Sequence, residues 1–137
     1  MNKINNKENK NRRMFLLFSH DITPTQREDA KNTFGIVEFV ELPSKLQFLW
    51  SNIPADLDDI GVYLEPLKAY ILKIAQPNDY LLVQGDFGGT YNMVNFSKIH
   101  DFVSVYATTN RNVIEKKEGN TIVKKSIFEH VKFREYI

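Results

Sequence analysis

The stretch that decides the fold is Tyr80-Leu-Leu-Val-Gln-Gly-Asp-Phe-Gly-Gly-Thr-Tyr91. An apolar, strand-like run leads directly into a glycine-rich turn, and Thr90 is suited to cap a helix that follows. Glycines at 85, 88 and 89 let the backbone turn sharply and come close to a ligand. The stretch therefore predicts a strand, a turn and a helix start, which is where an α/β sheet binds phosphate or nucleotide groups.

The same stretch is also compatible with a tight strand-to-helix connection that binds nothing. It lacks the Gly-Lys-Ser/Thr of a P-loop and the G-x-G-x-x-G spacing of a dinucleotide fold, so no cofactor is predicted.

Strand-like and helix-like segments alternate on both sides of this stretch. Residues 14–18 form an apolar run typical of a buried strand, and Thr23-Pro24 with Gln26 indicates a capped helix start. The other predicted strands are 36–40, 80–83 and 102–106, the other predicted helices are 43–50, 58–75 and 90–98, and 113–117 with 122–128 flank a Gly-Asn turn. This order predicts an α/β fold with an open, mainly parallel sheet flanked by helices and a C-terminal antiparallel hairpin.

Composition supports a single domain that follows a basic leader. Residues 1–13 hold five Lys or Arg and one Glu, a net +4, so the remaining residues carry −3 of the total +1. We expect residues 1–13 to form a disordered tail and residues 14–137 to form one domain. An acidic body argues against a surface that binds duplex nucleic acid, because that affinity comes from clustered Lys and Arg.

Several classes of site and location are disfavoured by what the chain lacks. Without cysteine it has no disulfide, thiolate metal site or cysteine nucleophile. No apolar run approaches the roughly 20 residues of a membrane span, and the N-terminus lacks a signal-peptide core. We therefore expect a cytoplasmic protein without a membrane partner.

Three polar connections are predicted to meet at the carboxyl edge of the sheet, namely residues 19–23, 84–90 and 108–111. Ligands bind at this edge in open α/β sheets, so their polar residues form the candidate site. The candidate ligand-binding residues are Ser19, Gln84, Gly85, Asp86, Phe87, Gly88, Gly89, Thr90, Thr108 and Thr109.

The motifs also carry a resemblance to a known family. They are Ser19-His-Asp-Ile-Thr-Pro-Thr-Gln26, Leu42-Pro43 with Leu46-Gln47 and Trp50, Leu82-Val-Gln-Gly-Asp-Phe-Gly-Gly-Thr-Tyr91, Val105-Tyr-Ala-Thr-Thr-Asn-Arg111 and Phe128-Glu-His-Val-Lys-Phe-Arg134. Together they resemble the small CRISPR-associated Csx family numbered twenty. The resemblance implies a CARF-like Rossmann fold, a type III CRISPR setting and a ring nuclease that degrades cyclic tetra-adenylate to linear di-adenylate.

The chemistry of such a reaction suggests catalytic roles. Metal-independent RNA cleavage uses a ribose 2′-hydroxyl to attack the adjacent phosphate, so positioning and charge stabilisation dominate. Arg111 is the candidate phosphate stabiliser, and its alternative is a surface arginine at the hairpin entry. His20 is the candidate acid/base, and its alternative is a histidine that hydrogen-bonds its own loop.

The remaining candidates have ligand-binding and structural alternatives. Asp86 is expected to bind ribose or cap its own helix, because a carboxylate repels phosphate. Gln84 is a candidate for reading an adenine edge, and Thr90, Thr108 and Thr109 for holding phosphates. Phe87 either stacks on adenine or packs in the core.

The ring substrate has a symmetry compatible with a two-fold axis, which predicts a homodimer with half of the site in each copy. No metal-ligand motif stands out, so no metal is predicted. Two alternatives stay open: a sensor or sponge that binds the ring without cutting it, and a nucleoside or nucleotide hydrolase.

Overall fold

The computed structural model describes residues 11–137, which form five strands and four helices. In chain order these are β1 Arg12–Leu17, α1 Pro24–Phe34, β2 Ile36–Glu41, α2 Ser44–Ser51, α3 Glu65–Ile74, β3 Tyr80–Val83, α4 Phe87–Ile99, β4 Val103–Glu118 and β5 Thr121–Glu135. None of these helices has the length and apolar character needed to span a bilayer.

The strands form one sheet in the order β2-β1-β3-β4-β5. Strand β1 pairs in parallel with β2 and β3, β3 pairs in parallel with β4, and β4 pairs with β5 in the antiparallel sense. The predicted α/β fold with a C-terminal antiparallel hairpin is therefore confirmed. The strand order reverses between β1 and β3, so the connections that leave these two strands diverge at the carboxyl edge.

Helices cover both faces of the sheet. On one face, called the α1 face, Ala30 of α1 packs in a cluster with Met14, Leu16 and Leu82. On the opposite face the cluster includes Trp50 of α2, Leu67 of α3 and Met93 of α4, which pack with β-strand residues. Because β1 and β3 are buried on both faces, their sequences read as continuous apolar runs, as predicted.

Strand β1 begins two residues before its predicted start. Arg13 donates from Nη2 to Oδ2 of Asp79 at 3.1 Å and to the carbonyl of Ile74 at 2.7 Å. The Asp79 side chain is only 5% exposed, so this contact fixes Arg13 against the body. The prediction of a disordered tail is thus wrong at residues 12–13, and residues 1–10 of that tail lie outside the described residues.

The start of α1 follows the predicted capping box. The Thr23 hydroxyl accepts from the Gln26 backbone N–H at 3.1 Å, and the Gln26 side chain accepts from the Thr23 N–H at 2.9 Å. Gly35 ends the helix in the left-handed region at φ 71°. Helix α3 starts later than predicted, because Pro66 occupies its first turn and Asp59 accepts from the Gly61 N–H in a preceding turn.

The C-terminal hairpin is longer than predicted. Residues 107–111 were expected to leave the sheet as a loop, but they continue β4, which pairs with β5 from Val105 to Glu118. The pairing of Ala107 with Phe133 and of Arg111 with Phe128 keeps their backbone in the ladder. Strand β3 ends at Val83, so β4 and β5 extend past it as a two-stranded ribbon. We call residues 108–132 the hairpin arm, and at about 3.4 Å per residue its length is roughly 35 Å.

Candidate functional site

A cleft of about 390 Å³ opens at the carboxyl ends of β1 and β2. It lies between the loop after β1, helix α1 and helix α2, and we call it the β2-side cleft. Its polar lining comes from Ser19, His20, Asp21, Arg27, Glu41 and Gln47. The cleft lies on the β2 side of β1, whereas the strand order reverses between β1 and β3, so it is next to the usual ligand position in open α/β sheets.

A second cleft of about 440 Å³ lies between the same loop, the start of α1 and the base of the hairpin arm. We call it the arm-side cleft. It shares Phe18, His20 and Asp21 with the β2-side cleft and adds Thr25, Thr109, Phe128 and His130. His20 therefore lies where the two clefts adjoin.

The His20 side chain is exposed and packs edge-on against Phe18, with ring centroids 5.4 Å apart. Within residues 11–137 its ring nitrogens make no hydrogen bond. The alternative in which His20 hydrogen-bonds its own loop is thus not observed, and both nitrogens are available to a ligand.

Arg27 is the cation that the sequence analysis missed. It lines the β2-side cleft from α1, and its guanidinium carbon lies 4.9 Å from the centroid of the Phe39 ring. This cation–π contact with a strand residue limits the rotamers of the side chain. The only sequence signal was its position directly after the capping box, which places it in the first turn of α1 at the carboxyl edge.

Arg111 occupies a different place from the one predicted. Its Nε and Nη2 donate to the hydroxyl of Ser126 at 3.2 and 3.1 Å. Ser126 pairs with Val113, which is two residues nearer the tip of the arm. The guanidinium is therefore directed along the arm, and among the described residues it lines neither cleft. The prediction that Arg111 shares a crevice with His20 of the same chain is wrong.

The glycine-rich turn is capped by its own carboxylate. Oδ2 of Asp86 accepts from the Gly89 N–H at 2.9 Å, and α4 begins at Phe87. The capping role of Asp86 is confirmed. The prediction that Thr90 caps the helix is wrong, since its N–H already donates to the Asp86 carbonyl at 2.8 Å. A carboxylate at this helix start repels a phosphate, so the predicted anion seat is not supported.

The glycines of this turn serve packing. A Cβ atom at Gly85 would lie 3.0 Å from Trp50, one at Gly89 would lie 2.7 Å from Ile53, and one at Gly88 would lie 3.1 Å from Ile60. The close approach predicted for a ligand is thus made by side chains of the α2–α3 region. None of the three glycines has a positive φ.

Gln84 links the ends of three strands. Its N–H donates to the Leu17 carbonyl at 3.0 Å, and its Oε1 accepts from the Ala107 N–H at 2.7 Å. The carboxyl ends of β1 and β3 therefore meet β4 here. Residues 84–90 line neither the β2-side cleft nor the arm-side cleft, so the predicted convergence of three connections on one site is not observed. The amide oxygen of Gln84 is occupied, so only its amide nitrogen could contact an adenine edge.

The remaining predicted residues separate into different places. Ser19 lines the β2-side cleft and its hydroxyl lies 3.0 Å from that of Ser51, while Thr109 lines the arm-side cleft with His20. The Thr108 hydroxyl donates to the Lys132 carbonyl at 2.9 Å.

Phe87 and Thr90 line another cleft of about 320 Å³ beside α4. Phe87 is 95% exposed, so its predicted core role is wrong.

His130 is a second histidine at the clefts. Its Nε2 lies 2.7 Å from Oδ2 of Asp29 on α1, and its side chain is 4% exposed. Burial acts to raise the pKa of Asp29, but hydrogen bonds from Thr33 and His130 and the charges of His130 and Lys132 bring that pKa below its ordinary value. The contact joins the base of the arm to α1.

A bulge in β5 explains why His130 faces α1. Thr108 pairs with Lys132 and the next residue, Thr109, pairs with His130, so Val131 is an extra residue. Adjacent residues of β4 face opposite sides, which sends Lys132 and His130 to opposite faces. Within residues 11–137 no group of three or more His, Asp or Glu side chains is placed to hold a metal ion.

Comparisons with known proteins agree over most of the chain. A family model described as "Uncharacterized protein MJ1673 family" matches residues 12–134. A protein of Methanocaldococcus jannaschii named "Uncharacterized protein MJ1673" is 48% identical over 124 residues, which cover 90% of this chain and 96% of that protein. No solved structure matches this chain.

Proposed function

The chain belongs to the MJ1673 family, and we propose that it is a ring nuclease that binds cyclic tetra-adenylate and cleaves it to linear di-adenylate. In a type III CRISPR setting this reaction removes the signal molecule. The substrate class comes from the resemblance of the sequence motifs to the Csx family numbered twenty. The clefts at the carboxyl edge support the proposed position of the site.

The strand order supports a Rossmann-like, CARF-like assignment. Four parallel strands in the order β2-β1-β3-β4 follow the arrangement of doubly wound sheets, whose ligands bind where the order reverses. In this chain that point lies between β1 and β3, and His20 follows β1 directly.

The proposal depends on one observation, which is the position of His20 between two adjoining clefts. Its ring nitrogens are unbonded within the described residues, and the cleft on each side could hold part of a nucleotide ring. A ribose and its 3′-phosphate that cross from one cleft to the other would pass the imidazole.

The proposed chemistry needs no metal. The ribose 2′-oxygen attacks the adjacent phosphorus, a new P–O2′ bond forms, and the P–O5′ bond breaks. His20 accepts the 2′-hydroxyl proton, and a water molecule donates a proton to the departing 5′-oxygen. Arg27, which lines the same cleft as His20, stabilises the charge on the phosphorane in this proposal. Each cut leaves a 2′,3′-cyclic phosphate and a 5′-hydroxyl, so two cuts convert the ring of four into two di-adenylates.

We assign two copies to one ring, since the ring has a symmetry compatible with a two-fold axis. Arg111 is directed away from the clefts of its own chain. In the two-fold assembly its role as a phosphate ligand passes to the site of the other copy.

The alternative function is a sensor or sponge that binds the ring without cutting it. It is favoured by one observation: the carboxylates of Asp21 and Glu41 line the same cleft as His20 and Arg27. They repel the more highly charged phosphorane more strongly than the phosphate of the bound ring, so they disfavour cleavage more than binding.

Cleavage is tested by incubating the purified protein with cyclic tetra-adenylate and cyclic hexa-adenylate in EDTA. We expect di-adenylate with a 2′,3′-cyclic phosphate from the ring of four, identified by mass spectrometry. His20→Ala should bind the ring and leave it intact, and Lys31→Ala on the exposed side of α1 serves as a matched control. Tight binding with unchanged ligand for the wild type would establish the sponge, and turnover of mononucleotides would point to a nucleotide hydrolase.

A further inference from the structure

The hairpin arm exposes apolar side chains on both of its faces. The strand pairing places Val113, Ile122 and Phe128 on the side that faces α1, and Ile114 and Val123 on the other side. These five side chains are between 40% and 66% exposed. A two-stranded ribbon has no core of its own and is at most marginally stable alone, so this apolar surface is suited to contact with another molecule.

The arm also differs in charge from the body that carries it. Residues 108–132 contain six Lys or Arg and three Glu, a net +3, whereas residues 14–107 contain six Lys or Arg and twelve Asp or Glu, a net −6. A basic, apolar arm is thus attached to an acidic body, and the two surfaces are electrostatically complementary.

A surface of matching character lies at the carboxyl edge of the body. Val62, Phe87 and Tyr91 are largely exposed there. Ile60 lies 3.1 Å from the position of a Cβ atom on Gly88, which brings the α2–α3 connection against the start of α4. We define the acidic patch as these three apolar residues with the exposed carboxylates Asp56, Asp58, Asp59 and Asp86.

We propose that the hairpin arm of one copy lies across the acidic patch of a second copy, and that the second copy returns the same contact. The arm leaves the sheet at its carboxyl edge, where the clefts open and α4 begins. Its length of roughly 35 Å matches the diameter of a domain of this size, whose radius of gyration is about 14 Å. Two copies with facing carboxyl edges would each extend an arm along the other.

The composition of the arm favours a protein partner over a nucleic acid. Glu115, Glu118 and Glu129 interrupt the cations along the ribbon, and a phosphate backbone would be repelled at each of them. Apolar side chains on both faces fit burial between two protein surfaces. Direct pairing of the two β5 edges is opposed by repulsion between their lysines.

A charge-reversal experiment tests the contact by sedimentation equilibrium. The wild type should have twice the 16.0 kDa mass of one chain. An arm variant, Lys116→Glu with Lys117→Glu, and a patch variant, Asp56→Lys with Asp58→Lys, should each weaken the dimer at least tenfold. An equimolar mixture of the two variants should restore the dimer, because each arm then meets a patch of opposite sign.

Disulfide trapping tests which residues of the two copies meet. The chain has no native cysteine, so only the introduced cysteines can form a disulfide. Lys117→Cys mixed with Phe87→Cys should give a covalent dimer under mild oxidation. Lys117→Cys mixed with Lys31→Cys is the control and should give little, because Lys31 lies on α1, which packs on the opposite face of the sheet from α4. Equal trapping in both mixtures, or a dimer that survives both charge reversals, would overturn the arm contact.

This inference rests on the two-fold assembly proposed above and not on cleavage. A wild type that stays monomeric at all concentrations refutes the arm contact and the two-fold assembly, and leaves cleavage to its own assay. A monomer whose arm variant loses affinity for a single-stranded RNA of 20 nucleotides refutes the arm contact in favour of an RNA partner. A dimer that survives the reversals refutes the arm contact alone.

Discussion

The Nε2 atom of His130 lies 2.7 Å from Oδ2 of Asp29, although 101 residues separate the two in sequence. Asp29 also accepts from the Thr33 hydroxyl at 2.7 Å within α1. The pair joins the C-terminal hairpin to the first helix and closes one side of the arm-side cleft. Together with the Phe34–Phe133 ring contact, it connects α1 to β5 near the base of the arm.

Removing the Asp29 carboxylate should destabilise the fold. Asp29→Asn weakens the contact with a nearly buried His130, and we expect a loss of about 2 kcal/mol in the free energy of unfolding at neutral pH. Urea denaturation measures the change. Glu28→Gln, one position earlier and exposed, is the control and should change stability by less than about 0.5 kcal/mol.

The same variant should show a defined pH dependence. The pKa of Asp29 is lower in the folded state than in the unfolded chain, so its stabilising effect is complete above the unfolded value of 3.8. The effect is lost as the pH falls through the lower, folded pKa. The difference between wild type and Asp29→Asn should therefore shrink as the pH falls below 4. A difference that grows as the pH falls below 4 would contradict this assignment.

Packing at the glycine turn can be tested at Gly89. A methyl group there would lie 2.7 Å from Cδ1 of Ile53, so Gly89→Ala should cost about 1–3 kcal/mol in unfolding free energy. Ile53→Val removes that methyl, and the double variant should recover most of the loss in thermal denaturation. Equal stability of the single and double variants would show that crowding against Cδ1 of Ile53 is not the cause of the loss at position 89.

The Arg13–Asp79 contact should anchor the first strand. Asp79 is nearly buried, and it also accepts from the Gln76 N–H at 2.8 Å, so Arg13→Met leaves a carboxylate without its cation. We expect a loss of about 3 kcal/mol in unfolding free energy, the typical cost of breaking a buried pair. Lys45→Met, at an exposed position of α2, is the control.

Arg27 and Arg111 should differ in how their variants complement His20→Ala. Arg27 lines the cleft of its own chain, whereas Arg111 extends along the arm. If the ring is cleaved by a two-fold assembly, mixing inactive Arg111→Ala with inactive His20→Ala should restore part of the activity, because one site of the mixed dimer is then intact. Mixing Arg27→Ala with His20→Ala should restore none. Recovery in the second mixture alone would reverse the two assignments.

The local patterns of the sequence determined much of this fold. The apolar runs of β1 and β3 predicted strands buried on both faces, and Thr23-Pro24 with Gln26 predicted the start of α1. Both predictions were possible because these signals depend only on neighbouring residues in the chain. The Gly-Asn turn and its flanking strand-like segments predicted the hairpin. Asp86 as a cap was also readable, since a cap bonds to a residue three positions away.

Only the tertiary structure decided which of these residues meet. The glycines at 85, 88 and 89 were predicted to leave space for a ligand. In the structure that space is filled by the side chains of Trp50, Ile53 and Ile60, which are distant in sequence. Arg111 looked like a loop residue because pairing with Phe128 and the bulge at Val131 are properties of the partner strand. Arg27, His20 and the Asp29–His130 pair come together because parallel strands end at one edge, and the distances across that edge are fixed by side-chain packing that no local pattern encodes.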